Sequence, residues 1–360
     1  MIRRMSPLTA PDFDVLVHPR TALPARLPAL AEFVAASAPV VPLGRHPAWL
    51  SVLNTALGHD VYALEAVAGG RTYGFLPLAH VTSMLFGRFL VSLPYLNSNG
   101  VVAESADVQA GLISRAVALA DELNVKHLEL RHERPIAHPD LNAALTTKVH
   151  MRLPLPDAAD RLWKGFDPKV RNQVRKGEKA GFAVAWGGAE LLDGFYEVLC
   201  ENMRDLGTPV YGKALFAETL AAFPGDAEIC LLSDGARPAA AALLLHGRGV
   251  TEVPTASARR EYNPACVNML MYWKLLERAV GREQRVFDFG RSTLDGSTFR
   301  FKKQWGAAPH PAAWQYATKD GAETEMRPDH PRYQRAIRLW QRLPVGLTRA
   351  LGPAIVRGIP

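Results

Sequence analysis

The chain has 360 residues, 48% hydrophobic and 21% charged, which excludes a largely disordered protein and exceeds what one ordinary core accommodates. Lysine and arginine outnumber aspartate and glutamate by 42 to 35, a net charge of +7, which favours an anionic partner: a nucleotide, nucleic acid, phospholipid surface or acidic glycan. Three cysteines, Cys200, Cys230 and Cys266, show no CxxC or Cys/His spacing, so neither a disulfide framework nor a metal site is expected.

The amino terminus, MIRRMSPLTAPDFDVLVHPR, starts basic but lacks the apolar run of about 7 residues that a secretory signal requires, and no stretch approaches the roughly 18 apolar residues of a membrane span. A cytoplasmic protein is expected. His46–Leu78 then runs parallel to Gly212–Leu244 later in the chain. Each begins with a helix-period segment (Trp49, Leu50, Leu53, Leu57; then Leu215, Phe216, Leu220, Phe223). Each continues through an apolar strand, a turn at Gly69 or Gly235, an arginine (Arg71 or Arg237) and a second strand. The order persists: helices over 107–124 and 264–281 lead into the strands KHLELRH and RVFDF. The recurrence is far longer than the roughly 20–50 residues of a solenoid repeat, so a duplicated α/β unit is expected, each copy a mixed sheet covered by helices. The prolines of MRLPLPDAAD place the division at 1–152 and 153–318, with 319–360 as a basic helical tail.

Within the first copy, PYLNSNG (Pro94–Gly100) reads as a turn-rich loop after an apolar strand, with Tyr95, Asn97 and Asn99 able to reach a polar ligand. His127 and His132, five apart on one strand, point to opposite faces and are not expected to share a metal. FDPKVRNQVRKGEKAG predicts a helix with Asp167 as N-cap, Pro168 in its first turn and Gly181 past its end. Seven cations against two acids between Arg161 and Gly181 make Arg171, Arg175 and Lys176 candidates for holding an anion. DLGTPVYG (Asp205–Gly212) is an interhelical loop whose Tyr211 is placed to cover a pocket, and HGRG (His246–Gly249) reads as a hairpin turn.

FDFGRSTLDGSTFRFKKQWG (Phe287–Gly306) is expected to leave an apolar strand at Gly290-Arg291-Ser292, turn at Asp295-Gly296, and return as a second strand. Alternation there would put Phe299, Phe301 and Lys303 on one face and Arg300, Lys302 and Gln304 on the other. A lysine buried beside aromatics keeps its charge only where an anion answers it, Asp288 or a substrate oxyanion. Acyl transfer to an amine needs such a cation where the carbonyl oxygen becomes negative. The tail from Pro331 carries six arginines and no acid. Tyr333, Ile337, Trp340 and Leu343 form a stripe on a segment that either docks on the core, lies on an anionic membrane or contacts nucleic acid.

FDFGRSTLDGSTFRFKKQWGA, KVRNQVRKGEKAG and NMRDLGTPVYGKALF together resemble the FemAB/FemX group of the acyl-CoA N-acyltransferase (GNAT) superfamily. The likeness is nearest to FemAB-like proteins of exosortase (PEP-CTERM) and exopolysaccharide loci. The resemblance implies tandem GNAT-like domains of α/β (α+β) class. It implies transfer of an acyl or aminoacyl group to an amine of a cell-envelope, peptidoglycan or exopolysaccharide precursor. It also implies that Lys302 stabilises the developing negative charge. Arg291 is then the candidate for anionic substrate, and Tyr95, Asn97 and Tyr211 for the acceptor pocket. Neither a coiled-coil arm nor a glycine-rich pyrophosphate loop is present. REYNPACVNML stands where that loop belongs, with Arg259, Arg260 and Asn268 as possible substitutes. The donor is therefore left open between aminoacyl-tRNA and acyl-CoA, with no tightly bound cofactor, no metal and no DNA expected. A non-catalytic protein binding RNA or a membrane surface on the same fold is the alternative.

Overall fold

The computed structural model describes residues 12–319 and 331–359. The amino-terminal residues 1–11 on which the leader expectation rests, and the Tyr333 side chain of the tail stripe, lie outside the described residues. In chain order the first part comprises β1 (Asp14–Pro19), α1 (Leu23–Ala36), α2 (Trp49–Leu57), β2 (Asp60–Ala68), β3 (Arg71–Ser83), β4 (Gly87–Val91), β5 (Val102–Ala103), α3 (Ala106–Glu122), β6 (His127–His132) and β7 (Ala143–Leu145). There follow β8 (Lys148–Pro154), α4 (Ala159–Gly165), α5 (Pro168–Lys179), β9 (Ala183–Gly187), α6 (Leu192–Leu206), α7 (Lys213–Ala222), β10 (Ala227–Asp234), β11 (Arg237–His246), β12 (Val250–Ala258), α8 (Val267–Gly281), β13 (Val286–Thr293) and α9 (Ser297–Lys303). The chain ends with β14 (Ala308–Pro311), β15 (Ala313–Thr318), α10 (Pro331–Trp340) and α11 (Val345–Val356).

Two mixed sheets result. One runs β1-β2-β3-β4-β6-β15-β7 with β5 on β3, the other β14-β8-β13-β12-β11-β10-β9. Most neighbours are antiparallel, and in each sheet one parallel pair, β4–β6 or β12–β13, marks the crossover through a helix. The duplication is visible in detail. The hairpins β2–β3 and β10–β11 carry register shifts at the corresponding positions Ala66/Val67 and Leu232/Ser233. Their turns use Gly69 and Gly235 at φ of +55° and +56°. The two equivalent helices, α2 and α7, meet between the halves, where Trp49 lies 5.2 Å from Phe223 and Leu50, Leu53, Leu215, Phe216 and Leu220 share one core.

Two expectations are corrected. The division at 152/153 falls inside β8, which pairs with β13 in the second sheet because Val149, Met151 and Leu153 alternate onto the second core. The prolines read as a linker end that strand instead. Conversely β15, expected in the second unit, lies between β6 and β7 of the first sheet. The second correction concerns the return strand after Asp295-Gly296, which is the helix α9. Phe299 and Lys302, three apart, are both buried on its inner face, and Trp305 follows fully buried against Phe166 at 5.3 Å. Helical spacing, not alternation, satisfies this run of aromatics. The tail is two helices broken at Pro344, with α11 lying on α6.

Candidate active site

The site begins where two parallel strands part. β12 and β13 pair only over Val250–Glu252 and Val286–Asp288, although β12 continues to Ala258 and β13 to Thr293. Just past the split, the register of β13 on β8 jumps between Asp288 and Arg291, with Gly290 at φ of +75°. Asp288 ties the bulge: one carboxylate oxygen accepts the Gly290 N–H at 2.7 Å, the other the Arg152 Nε–H at 2.8 Å. The bulge presents two carbonyls to α9, and Lys302 Nζ donates to Gly290 O at 3.1 Å and Arg291 O at 2.9 Å. Lys302 is 8% exposed. Burial lowers its pKa to about 8, with the Asp288 charge opposing and the Arg291 charge adding to that fall. An ammonium has three N–H donors, so two carbonyls leave one for an anion.

Arg291 stacks on Trp314, its guanidinium carbon 3.4 Å from the ring centroid, while Arg131 lies 3.8 Å from the same ring. The one indole thus carries two cations at close range. Arg131 is answered by Glu129, 2.7 Å from its Nε, and by the Leu96 carbonyl at 2.8 Å. Arg291 forms no ion pair among the described residues, and its Nε is buried without a partner. Burial, then repulsion from Arg131, brings its pKa down to about 9. A desolvated, unanswered guanidinium is an anion site by its energetics.

The 92–100 loop supplies the facing wall. Ser92 Oγ accepts the Arg131 N–H at 2.8 Å and the Asn99 N–H donates to the Arg131 carbonyl at 3.0 Å, which laces the loop to β6. Leu93 and Tyr95 take left-handed backbone at φ of +51° and +72°, a strained arrangement for side chains with a Cβ. The Asn97 amide sits 3.3 Å from where a Cβ on Gly290 would project. The Tyr95 ring lies 5.2 Å from Tyr211, and its hydroxyl donates to the Arg357 carbonyl at 2.6 Å, closing the tail over this edge. Tyr95, Asn97, Tyr211, Arg291 and Lys302 are thus brought together from four separate segments.

Arg171, Arg175 and Lys176 form a separate basic strip on α5. That helix is capped as the sequence anticipates, Asp167 accepting the Lys169 N–H at 2.7 Å and Gly181 leaving at φ of +78°. It packs on the start of α8, where a Cβ on Gly177 would lie only 2.7 Å from the Leu270 Cβ. Arg175 and Lys176 face solvent, Arg175 reaching over Trp163 at 5.6 Å, while Arg171 is half-buried with its Nε unpartnered. Asn268 is half-buried in the first turn of α8, the helix on which α5 packs. Arg259 is not available to a phosphate as the sequence suggested. It is buried and bound by Glu197, by Glu201 at 2.9 Å and by the Pro238 carbonyl at 2.8 Å. Arg260 is held on Asp205, donating to its carbonyl at 2.8 Å.

Glu129, Arg131 and Trp314 escaped the sequence reading. The alternation in LELRH does place Glu129 and Arg131 opposite Leu128 and Leu130, but only the structure shows β6 to be central and buried on both faces. Trp314 carried no signal, because its role depends on β15 crossing to the other sheet.

A family model described as an acetyltransferase (GNAT) domain matches residues 166–303. No curated protein matches the sequence. Among solved structures, FemX is similar over 79% of this chain and 94% of its own, with a TM-score of 0.62 at 15% identity. L-PGS from Bacillus licheniformis covers 75% of this chain and 87% of its own, at 13% identity and a TM-score of 0.51. A tandem GNAT protein from the clavulanic acid biosynthesis pathway covers 87% of this chain and all of its own, at 14% identity and 0.51. The chain therefore carries the tandem GNAT fold, an acyltransferase-type scaffold in which the described lysine and guanidinium occupy the second unit's strand split.

Proposed function

We propose that the protein is an N-acyl- or aminoacyltransferase acting on an amine of a cell-envelope, peptidoglycan or exopolysaccharide precursor. The observation that carries this reading is the buried Lys302 ammonium, held by two bulge carbonyls beside the parting strands with one donor to spare. In the reaction the deprotonated amine attacks the donor carbonyl carbon. A C–N bond forms as the carbonyl π electrons move to oxygen, and Lys302 stabilises that oxyanion. Collapse breaks the bond to the leaving thiol or ribose oxygen, which takes the proton the amine gives up. Arg291 holds an anionic group of the substrate, and Tyr95, Asn97 and Tyr211 shape the acceptor wall. Arg171, Arg175, Lys176 and Asn268 meet the phosphates of the donor, acyl-CoA or aminoacyl-tRNA. The site is cytoplasmic, and no tightly bound cofactor is required.

Replacing Lys302 with Ala should lower turnover by about 10² or more, the size of a lost oxyanion donor. Circular dichroism and thermal melting should remain those of the native fold. Normal turnover by the purified variant would remove Lys302 from the chemistry. Mass spectrometry of co-purifying CoA, tRNA or nucleotide sugar identifies the donor. The solvent-facing cations of α5 favour a second reading, a non-catalytic RNA binder. There, salt-sensitive tRNA binding would survive loss of Lys302 and disappear with Arg171 and Arg175.

A further inference from the structure

The face that surrounds the carboxyl end of the tail is apolar, cationic and uncovered. At the tip of the β3–β4 hairpin, Met84 and Leu85 are 105% and 76% exposed, adjacent to Phe86. The hairpin is not isolated. A Cβ on Gly358 would come within 2.5 Å of Ser83 Oγ and 3.5 Å of the Phe86 ring, so α11 ends against this tip. Along α11, Thr348, Gly352 and Val356 face the body at four-residue spacing, while Leu347 and Leu351, also four apart, stay exposed. Leu339 of α10 is exposed as well. Arg335, Arg338 and Arg342 stand in solvent on α10 and the turn after it, and Arg88 and Lys126 are exposed at the base of the hairpin.

From this juxtaposition we propose that the β3–β4 hairpin tip and the α10–α11 helices form one docking face for an anionic phospholipid surface. The inference goes beyond the transferase reading and does not depend on Lys302. Charge complementarity selects the occupant: the tail from Pro331 has six arginines and no acid. The apolar members decide between anionic partners. Exposed Met84 and Leu85 gain nothing from a phosphodiester backbone, and among the described residues the aromatics of these elements, Phe86 and Trp340, are half-buried rather than set out in a row for bases to stack on. At a bilayer the same side chains leave water for the acyl boundary while the arginines meet the headgroups. No described helix is long and apolar enough to cross a membrane, so contact would be at the surface.

The test is co-sedimentation of the full chain with phosphatidylcholine vesicles, with and without phosphatidylglycerol. Binding is expected only where phosphatidylglycerol is present and should weaken as salt rises. A triple variant Arg335→Gln, Arg338→Gln, Arg342→Gln should bind about a hundredfold more weakly, since each arginine near an anionic surface is worth roughly fivefold. Met84→Asp with Leu85→Asp, at the two side chains of the tip that stand in solvent, should weaken binding without altering the melting temperature. Binding indifferent to phosphatidylglycerol, or unchanged in both variants, would overturn the proposal. So would a preference for tRNA over vesicles, or a stable dimer dissolved by the hairpin variant. None of these readouts uses turnover, so their failure leaves the Lys302 proposal where it stood.

Discussion

At the scale of single residues, Lys302 is distinguished by being a cation that the fold has partly persuaded to give up its proton. Its pKa of about 8 arises from burial, and the Asp288 carboxylate limits the fall. If Lys302 works as an ammonium, turnover must decline as pH rises through about 8, because the neutral amine cannot answer an oxyanion with charge. A general base at the same position would give the opposite slope. Lys302→Arg stays protonated throughout, so this variant, whatever its absolute rate, should lose that alkaline limb. A pH–rate profile that keeps the limb in the arginine variant would assign it to another group. Stability moves the other way. The unfolded lysine holds its proton to about 10.5, so between 8 and 10.5 the unfolded chain binds more protons and folding gains as pH rises. Inactivation above pH 8 would therefore not come from a loss of stability at Lys302. Arg291 belongs to the same logic, since a guanidinium desolvated over the Trp314 ring waits on an anion rather than on solvent.

At the scale of elements, the site depends on a bulge in β13 and a short helix placed against it. Gly290→Ala should disturb both. An alanine in the left-handed region costs about 1 kcal/mol, and its methyl would press on the Asn97 amide at 3.3 Å. The two carbonyls that hold Lys302 are that residue's own and its neighbour Arg291's, so turnover should fall at least about tenfold while the melting temperature drops only a few degrees. Unchanged turnover in the folded variant would show that the bulge does not position the lysine. This element also shows what the sequence could convey. Asp167, Pro168 and Gly181 announced α5 because capping is local chemistry, and the paired hairpins were legible because apolar alternation and glycine turns are local too. Phe299–Lys303 was read with the wrong period. The seven residues of α9 are too few to separate a strand from two helical turns when aromatics stand at both spacings, and the deciding factor was burial of Phe299, Lys302 and Trp305 on one side. Strand exchange through β8 and β15, and with it Trp314, is non-local and left no mark on residue order.

At the scale of the molecule, the halves are held as one body by more than the apolar seam of α2 and α7. Arg45 and Arg152 both reach Glu133, at 3.2 Å and 2.7 Å, and Arg152 continues to Asp288 beneath the bulge. Burial would raise the Glu133 pKa, but the Arg152 hydrogen bond and the charges of Arg45 and Arg152 outweigh it and hold it at about 2. Nearby, Glu252 is the misfit. Its carboxylate accepts the Gly44 N–H at 2.9 Å across the halves, yet burial, with repulsion from Asp288, pushes its pKa up to about 7. A raised carboxylate favours folding fully below its unfolded pKa of 4.5, and that contribution is lost as pH climbs through 7. Buried histidines act in the other direction. His59, His132 and His150 are held neutral, each near a pKa of about 4 chiefly by burial, so folding weakens as pH falls from 6.5 towards 4. Glu252→Gln keeps an acceptor for the Gly44 N–H and removes only the titration. Thermal melts at pH 5 and pH 8 should then find the variant close to wild type at the lower pH and more stable at the higher. Both proteins should share the same acid limb from the histidines. Equal destabilisation of the variant at both pH values would mean that shape and hydrogen bonding at Gly44, rather than a reluctantly ionised carboxylate, govern how the two halves meet.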